Sequence, residues 1–103
     1  MEARLVNRQT GESTIIDKPV FRIGRERNYV DLLVDNPTVS RAHCNLIRRN
    51  NTYYLVDMDS TNHTYVNGVV LKPRQETCLG DGDELTLANE KFVFRCIPRG
   101  EED

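Results

Sequence analysis

The chain predicts an all-β protein, an antiparallel β-sandwich with its functional loops gathered at one end. Three observations carry that expectation. Apolar residues recur with a period of two in short runs, and helical spacing is nearly absent. The runs are broken by Gly, Pro, Asn and Asp, the residues that set turns. At 103 residues the chain fits one domain able to bury a core without staples.

Taken in order, strand-like runs fall at Glu2–Asn7, Ser13–Asp17, Val20–Gly24 and Asp31–Val34. Ala42–Arg49 and Thr52–Asp57 follow, parted by the turn Arg49-Asn50-Asn51. Shorter runs come at Thr64–Val66, Val69–Leu71 and Glu76–Cys78, and the last are Glu84–Leu87 and Lys91–Ile97. Between Val66 and Val69, Asn67-Gly68 is the strongest hairpin signal, because a type I′ turn needs positive φ at both central residues. Gly80-Asp81-Gly82-Asp83 marks another turn, and Pro19, Pro37 and Pro73 punctuate loops.

Bulk composition narrows the function. Apolar residues at 38% and charged residues at 29% suit a folded globular domain. A net charge of −2 disfavours nucleic acid, whose binders lean basic, but permits one local basic pocket for a single phosphate. The three cysteines, Cys44, Cys78 and Cys96, form no CxxC pair, so reduced thiols and a cytoplasmic location are expected. No secretory leader, membrane segment, metal site or cofactor is expected. The acidic end, residues 99–103, reads as a flexible tail on a domain spanning 1–98, and the sequence is equally compatible with a module inside a longer protein.

Three polar clusters stand where strand-like runs meet turns. Gly24-Arg25 ends one run, and the Arg offers a planar fork of donors matched to phosphate oxygens. Ser40-Arg41-Ala42-His43 places a hydroxyl beside a guanidinium; His43 starts an apolar run and reads as a buried brace. Ser60-Thr61-Asn62-His63-Thr64 brings hydroxyls and an amide able to clasp a peptide backbone. Asp57-Met58-Asp59 glances at a calcium loop, but Asn62 and Gly68 stand where that loop needs Gly and Glu. A hydrolase built on Ser40 and His43 lacks a third group to orient the His, so no catalytic residue is expected.

In this order and spacing the clusters resemble the forkhead-associated (FHA) domain. The matching pieces are Phe21-Arg22-Ile23-Gly24-Arg25, Val39-Ser40-Arg41-Ala42-His43, Asp57-Met58-Asp59-Ser60-Thr61-Asn62 and Thr64-Tyr65-Val66-Asn67-Gly68. Leu79–Leu87 and Phe92-Val93-Phe94 complete the pattern. The resemblance implies an FHA/SMAD-like sandwich of about eleven strands. It also implies recognition of phosphothreonine in a protein or peptide partner, after an unseen Ser/Thr kinase has acted, by a domain monomeric on its own. On that reading Arg25, Ser40, Arg41 and Thr61 hold the phosphate. Asn62, Asn67, Thr38 and His63 face the peptide, while Gly24, His43 and Gly68 shape the site. One departure is His63, where the family usually has Gly. It keeps an alternative open, a degenerate module of the same fold that docks a partner without phosphate.

Overall fold

The structure, a computed structural model, describes residues 2–97; the expected acidic tail lies outside them. Eleven strands run in order: β1 (Glu2–Asn7), β2 (Ser13–Ile15), β3 (Val20–Gly24), β4 (Leu32–Leu33), β5 (Cys44–Arg49), β6 (Thr52–Asp57), β7 (Thr64–Val66), β8 (Val69–Val70), β9 (Thr77–Leu79), β10 (Glu84–Leu87) and β11 (Glu90–Ile97). They form two sheets, one ordered β2-β1-β11-β10-β7-β8 and the other β4-β3-β5-β6-β9.

Alternation along the strands decides what is buried. Ala3 and Leu5 of β1, Leu85 and Leu87 of β10, and Phe92 and Phe94 of β11 face inward from the first sheet. Phe21 and Ile23, Cys44 and Leu46, and Tyr53 and Leu55 meet them from the second. Across the interface the Tyr53 and Phe94 rings lie 5.3 Å apart, tilted by 57°. Cys44 is fully enclosed, and burial pushes its thiol well above its ordinary pKa, so it is packing material rather than a nucleophile.

Strand ends differ from the sequence expectation by a residue or two, with one larger departure. The Asp31–Val34 run yields only β4, and β4 pairs with β3 in parallel while every other pairing is antiparallel. The cause is the loop after Gly24, where Tyr29 N and Val30 N both donate to the Glu26 carbonyl and turn the chain back along β3. Asp31 serves as a clamp instead of a strand residue. Its Oδ2 accepts from Arg22 N and its Oδ1 from Lys18 Nζ, each at 2.8 Å. Those two contacts, the backbone one first, hold its carboxyl below the usual carboxylate range.

The expected hairpin turn is present. Asn67 and Gly68 have φ of 51° and 82°, the positive pair that turn requires.

Antiparallel register fixes which loops share an end. The end of β3, the start of β5, the end of β6, the start of β7 and the end of β10 lie together. The loops at this end are therefore 8–12, 25–31, 34–43, 58–63 and 88–89. Asn67-Gly68 falls at the other end of β7, where Asn67 N donates to the Glu84 carbonyl at the far end of β10.

Candidate functional site

The site begins with a close approach of two backbones. A Cβ on Gly24 would stand 2.1 Å from the Arg41 carbonyl oxygen, so only glycine fits there. That closeness lets Arg25 N donate to the carbonyls of Ser40 and Arg41, both at 3.0 Å, and Glu26 N to Arg41 O at 3.2 Å. The end of β3 is thus stitched to the loop before β5. Arg25 then donates from Nε to the Val39 carbonyl at 2.9 Å, which fixes the direction of its guanidinium. Among the described residues its Nη groups have no partner and remain available to an anion.

His43 is the brace beneath. It is wholly buried, and its Nδ1 accepts from Ser40 N at 3.0 Å. Its Nε2 therefore carries the proton and donates to the His63 carbonyl at 2.9 Å. One neutral imidazole so ties the Ser40 loop to the His63 loop. Burial lowers its pKa, outweighing the His63 carbonyl and the Asp57 carboxylate, which raise it. The Ser40–His43 contact runs through the Ser40 backbone nitrogen, not its hydroxyl. The two do not form a nucleophile–base pair.

The third loop meets the second at the hydroxyl. Thr61 N donates to Ser40 Oγ at 2.9 Å, which leaves the Ser40 hydroxyl proton free to donate. Asn62 Nδ2 donates to the Thr38 carbonyl at 2.8 Å, a second bond between the same loops. Arg41 and the Thr61 hydroxyl are exposed, with no side-chain partner among the described residues. Arg25, Thr38, Ser40, Arg41, Thr61, Asn62 and His63 therefore share one rim, underlaid by Gly24 and His43.

Asn67 and Gly68 do not join them. The structure places Asn67, expected to hold peptide, at the other end of β7: its Nδ2 donates to Asp83 Oδ1 at 3.1 Å and its Oδ1 accepts from Glu84 N at 2.9 Å. It secures the β7–β8 turn to the loop before β10. Gly68 shapes that distant turn and not the rim.

His63 occupies the left-handed region with φ of 69°. That is the conformation for which glycine is the easy choice, and His adopts it at a cost. Its carbonyl is held from two sides, by His43 Nε2 and by Ala88 N at 3.0 Å. Its ring stands edge-on to Tyr65, centroids 6.5 Å apart.

Two groups of supporting residues went unrecognised in the sequence. Asp57 is buried, accepts from Ser60 N at 3.1 Å and Thr64 Oγ1 at 2.6 Å, and also bonds the Ser60 hydroxyl. It ties both ends of the 58–63 loop to β6. The signal was available: Asp57 shares the inward parity of Tyr53 and Leu55. Asn36 caps Thr38 through its Oδ1 and reaches Asn89 and Glu90 with its Nδ2 at 2.8 and 2.9 Å. No local pattern announces that bond across the fold.

The chain belongs to the FHA domain family, which it matches over residues 21–88. It is 35% identical over 89 residues to an oxoglutarate dehydrogenase inhibitor of Corynebacterium diphtheriae, a match spanning 86% of this chain and 59% of the inhibitor. It is 33% identical over 93 residues to the glycogen accumulation regulator GarA of Mycobacterium tuberculosis, 90% of this chain and 55% of GarA. The chain thus spans little more than half the length of these relatives. Its fold superposes with a TM-score of 0.87 and 26% identity on a domain solved in a structural and functional study of phosphothreonine-dependent FHA domain interactions, covering 95% of this chain and 99% of that one. The sandwich extends beyond the matched span, since β1, β2 and all of β11 complete the first sheet.

Proposed function

We propose that this domain reads phosphothreonine in a protein partner and recruits that partner reversibly, as one link in Ser/Thr kinase signalling. The observation that carries the reading is the rim itself. The Arg25 guanidinium and the Ser40 hydroxyl converge there, each already held by a bond that leaves its outward donors available. The solved phosphothreonine-dependent FHA domain adds support through its similarity over nearly the whole chain.

The chemistry follows from charge. A phosphothreonine brings about −1.5 to −2 charge and strong acceptor oxygens. Arg25 meets them with a charge-assisted fork, Ser40 with its hydroxyl, and Arg41 with a further cation. Thr61 lines the pocket beside the ligand's methyl. Asn62 and Thr38, bonded to one another, form the ledge for the peptide main chain, and His63 stands beyond it. A plain threonine leaves those donors unmatched, and each charged hydrogen bond is worth about 1.5–3 kcal/mol. That difference is the switch.

The domain is a binding module rather than an enzyme, consistent with the regulator and inhibitor relatives. We take it as one monomeric domain over 1–98. Its three unpaired thiols suit the reducing cytoplasm. No helix among the described residues is long and apolar enough to cross a membrane. Calorimetric titration with a phosphothreonine peptide, its unphosphorylated form and an Arg25→Ala variant tests the reading. Binding is expected only for the phosphopeptide on the native protein. Partner affinity unchanged in Arg25→Ala would favour docking without phosphate.

A further inference from the structure

Beside the rim lies a recess of about 260 Å³ lined by Arg8, Gln9, Asn89 and Lys91. Every lining side chain carries hydrogen-bond donors, two are cations, and none is a carboxylate. A second recess of similar size, between β4 and the β1–β2 end, has the opposite character, with Glu12, Asp35 and Glu90 in its walls.

The walls of the first recess are fixed. Asn7 Oδ1 accepts from Gln9 N and Thr10 N at 2.8 and 3.1 Å, and Arg8 N donates to the Lys91 carbonyl at 2.9 Å. Arg8 pairs with Glu84, while Lys91 is exposed and has no ion pair among the described residues. Of the two cations, Lys91 therefore brings a positive charge that no carboxylate pairs with among the described residues.

It is also continuous with the peptide ledge. Asn89 Oδ1 accepts from Thr38 Oγ1 at 3.2 Å and from Asn36 Nδ2 at 2.8 Å. That engages the oxygen of Asn89 and leaves its amide protons to the recess. Asn62 grips the carbonyl of the same Thr38, so a chain lying on that ledge passes next to Asn89.

We propose that this recess is a second anion subsite, which takes an acidic or second phosphorylated side chain a few residues from the phosphothreonine. The inference rests on the phosphothreonine reading above. It makes the preferred partner a phosphothreonine segment with a further negative charge on one flank only.

The test uses the protein titrated with five peptides. One has a single phosphothreonine and neutral flanks. Two carry aspartates on one flank or the other, and two carry a second phosphothreonine on one flank or the other. Charge on one flank is expected to raise affinity about fivefold, the scale of a partly exposed ion pair. Lys91→Glu should abolish that gain, and Lys91→Gln should halve it or more, while both bind the neutral peptide as the native protein does. A gain with aspartate assigns the subsite to carboxylates; a gain confined to the second phosphate assigns it to phosphate. An equal gain in Lys91→Glu, or none in the native protein, overturns the subsite and leaves the phosphothreonine reading standing. Failure of every peptide to bind would overturn both.

Discussion

Gly24→Ala gives the sharpest test of how the site is built, because its effect can be worked from contacts. The added Cβ would lie 2.1 Å from Arg41 O, 2.8 Å from Arg41 C and 3.0 Å from Ser40 O. A tolerable C···O approach is about 3.3 Å, so the end of β3 and the 40–41 segment must part by about 1 Å. Three bonds cross that gap, from Arg25 N to Ser40 O and Arg41 O, and from Glu26 N to Arg41 O. Lengthened by that much, they pass out of the 2.7–3.2 Å range in which such bonds hold. Two weakened donors cost about 0.5–1.5 kcal/mol each. Forced overpacking adds about 1–3 kcal/mol. The sum, about 2–6 kcal/mol, is a large part of a domain's usual stability of about 5–15 kcal/mol. Urea unfolding followed by circular dichroism should show a clearly lower midpoint with little change in slope. Under conditions where the variant is still folded, phosphopeptide affinity should fall by at least about tenfold, since displacing Arg25 forfeits about one charged hydrogen bond. A midpoint and an affinity both matching the native protein would refute the argument that this contact sets the position of Arg25.

Other perturbations separate the roles of neighbouring residues. The pKa of His43 is lowered by folding, so its contribution to stability is present above its unfolded value of about 6.5 and is lost as pH falls through its folded value. Thermal melts of the unliganded domain should therefore show a stability decline below about pH 6.5 that is smaller in His43→Gln; identical profiles would contradict the neutral brace. Asn67→Ala should lower stability by about 1–2 kcal/mol, the cost of a left-handed residue, while titration finds peptide affinity unchanged; a loss of affinity would return Asn67 to the site. His63→Gly relieves about 1–2 kcal/mol of backbone strain but frees the unfolded chain by about 0.5–1 kcal/mol. Its unfolding midpoint should thus move little and phosphate binding should persist. Binding gained from nothing in that variant would show that His63 blocks the pocket.

Period-two patterning and turn chemistry were enough to expose the strands, because each strand buries one face and each turn demands particular backbone angles. The parallel β3–β4 pairing was hidden, since it depends on the bonds to the Glu26 carbonyl and the Asp31 clamp rather than on any run of apolar residues. Arg25, Ser40 and Asn62 were legible as a group through their chemistry and their placement after strands. The placement of Asn67 away from the rim was not legible, because one residue type serves two ends. An Asn before Gly suits a hairpin on conformation alone, and sequence order does not say which rim that hairpin occupies. Asn36, Asn89 and Lys91 were invisible as neighbours of the site, because the packing of one sheet on the other brings the β10–β11 turn against the loop before β5.

On the proposed reading, the arrangement lets a domain with a net charge of −2 hold a dianion. Two acidic residues near the rim are occupied elsewhere. Asp57 is buried under three donors of its own loop, and Asp59 pairs with Arg74 at 2.8 Å. Arg25 and Arg41, by contrast, have no carboxylate partner among the described residues. Local field, not total charge, decides what such a site attracts. The donors are also aimed before any ligand arrives: the Arg25 guanidinium is held at Val39, the Ser40 hydroxyl at Thr61, and the Asn62 amide at Thr38. Each bond removes rotamer freedom that binding would otherwise have to remove, at about 0.5–1.5 kcal/mol per side chain. A neutral His43 makes this possible. Only an imidazole with one donor and one acceptor nitrogen can join the Ser40 amide to the His63 carbonyl, and a second proton would break the bond that sets Ser40 in place.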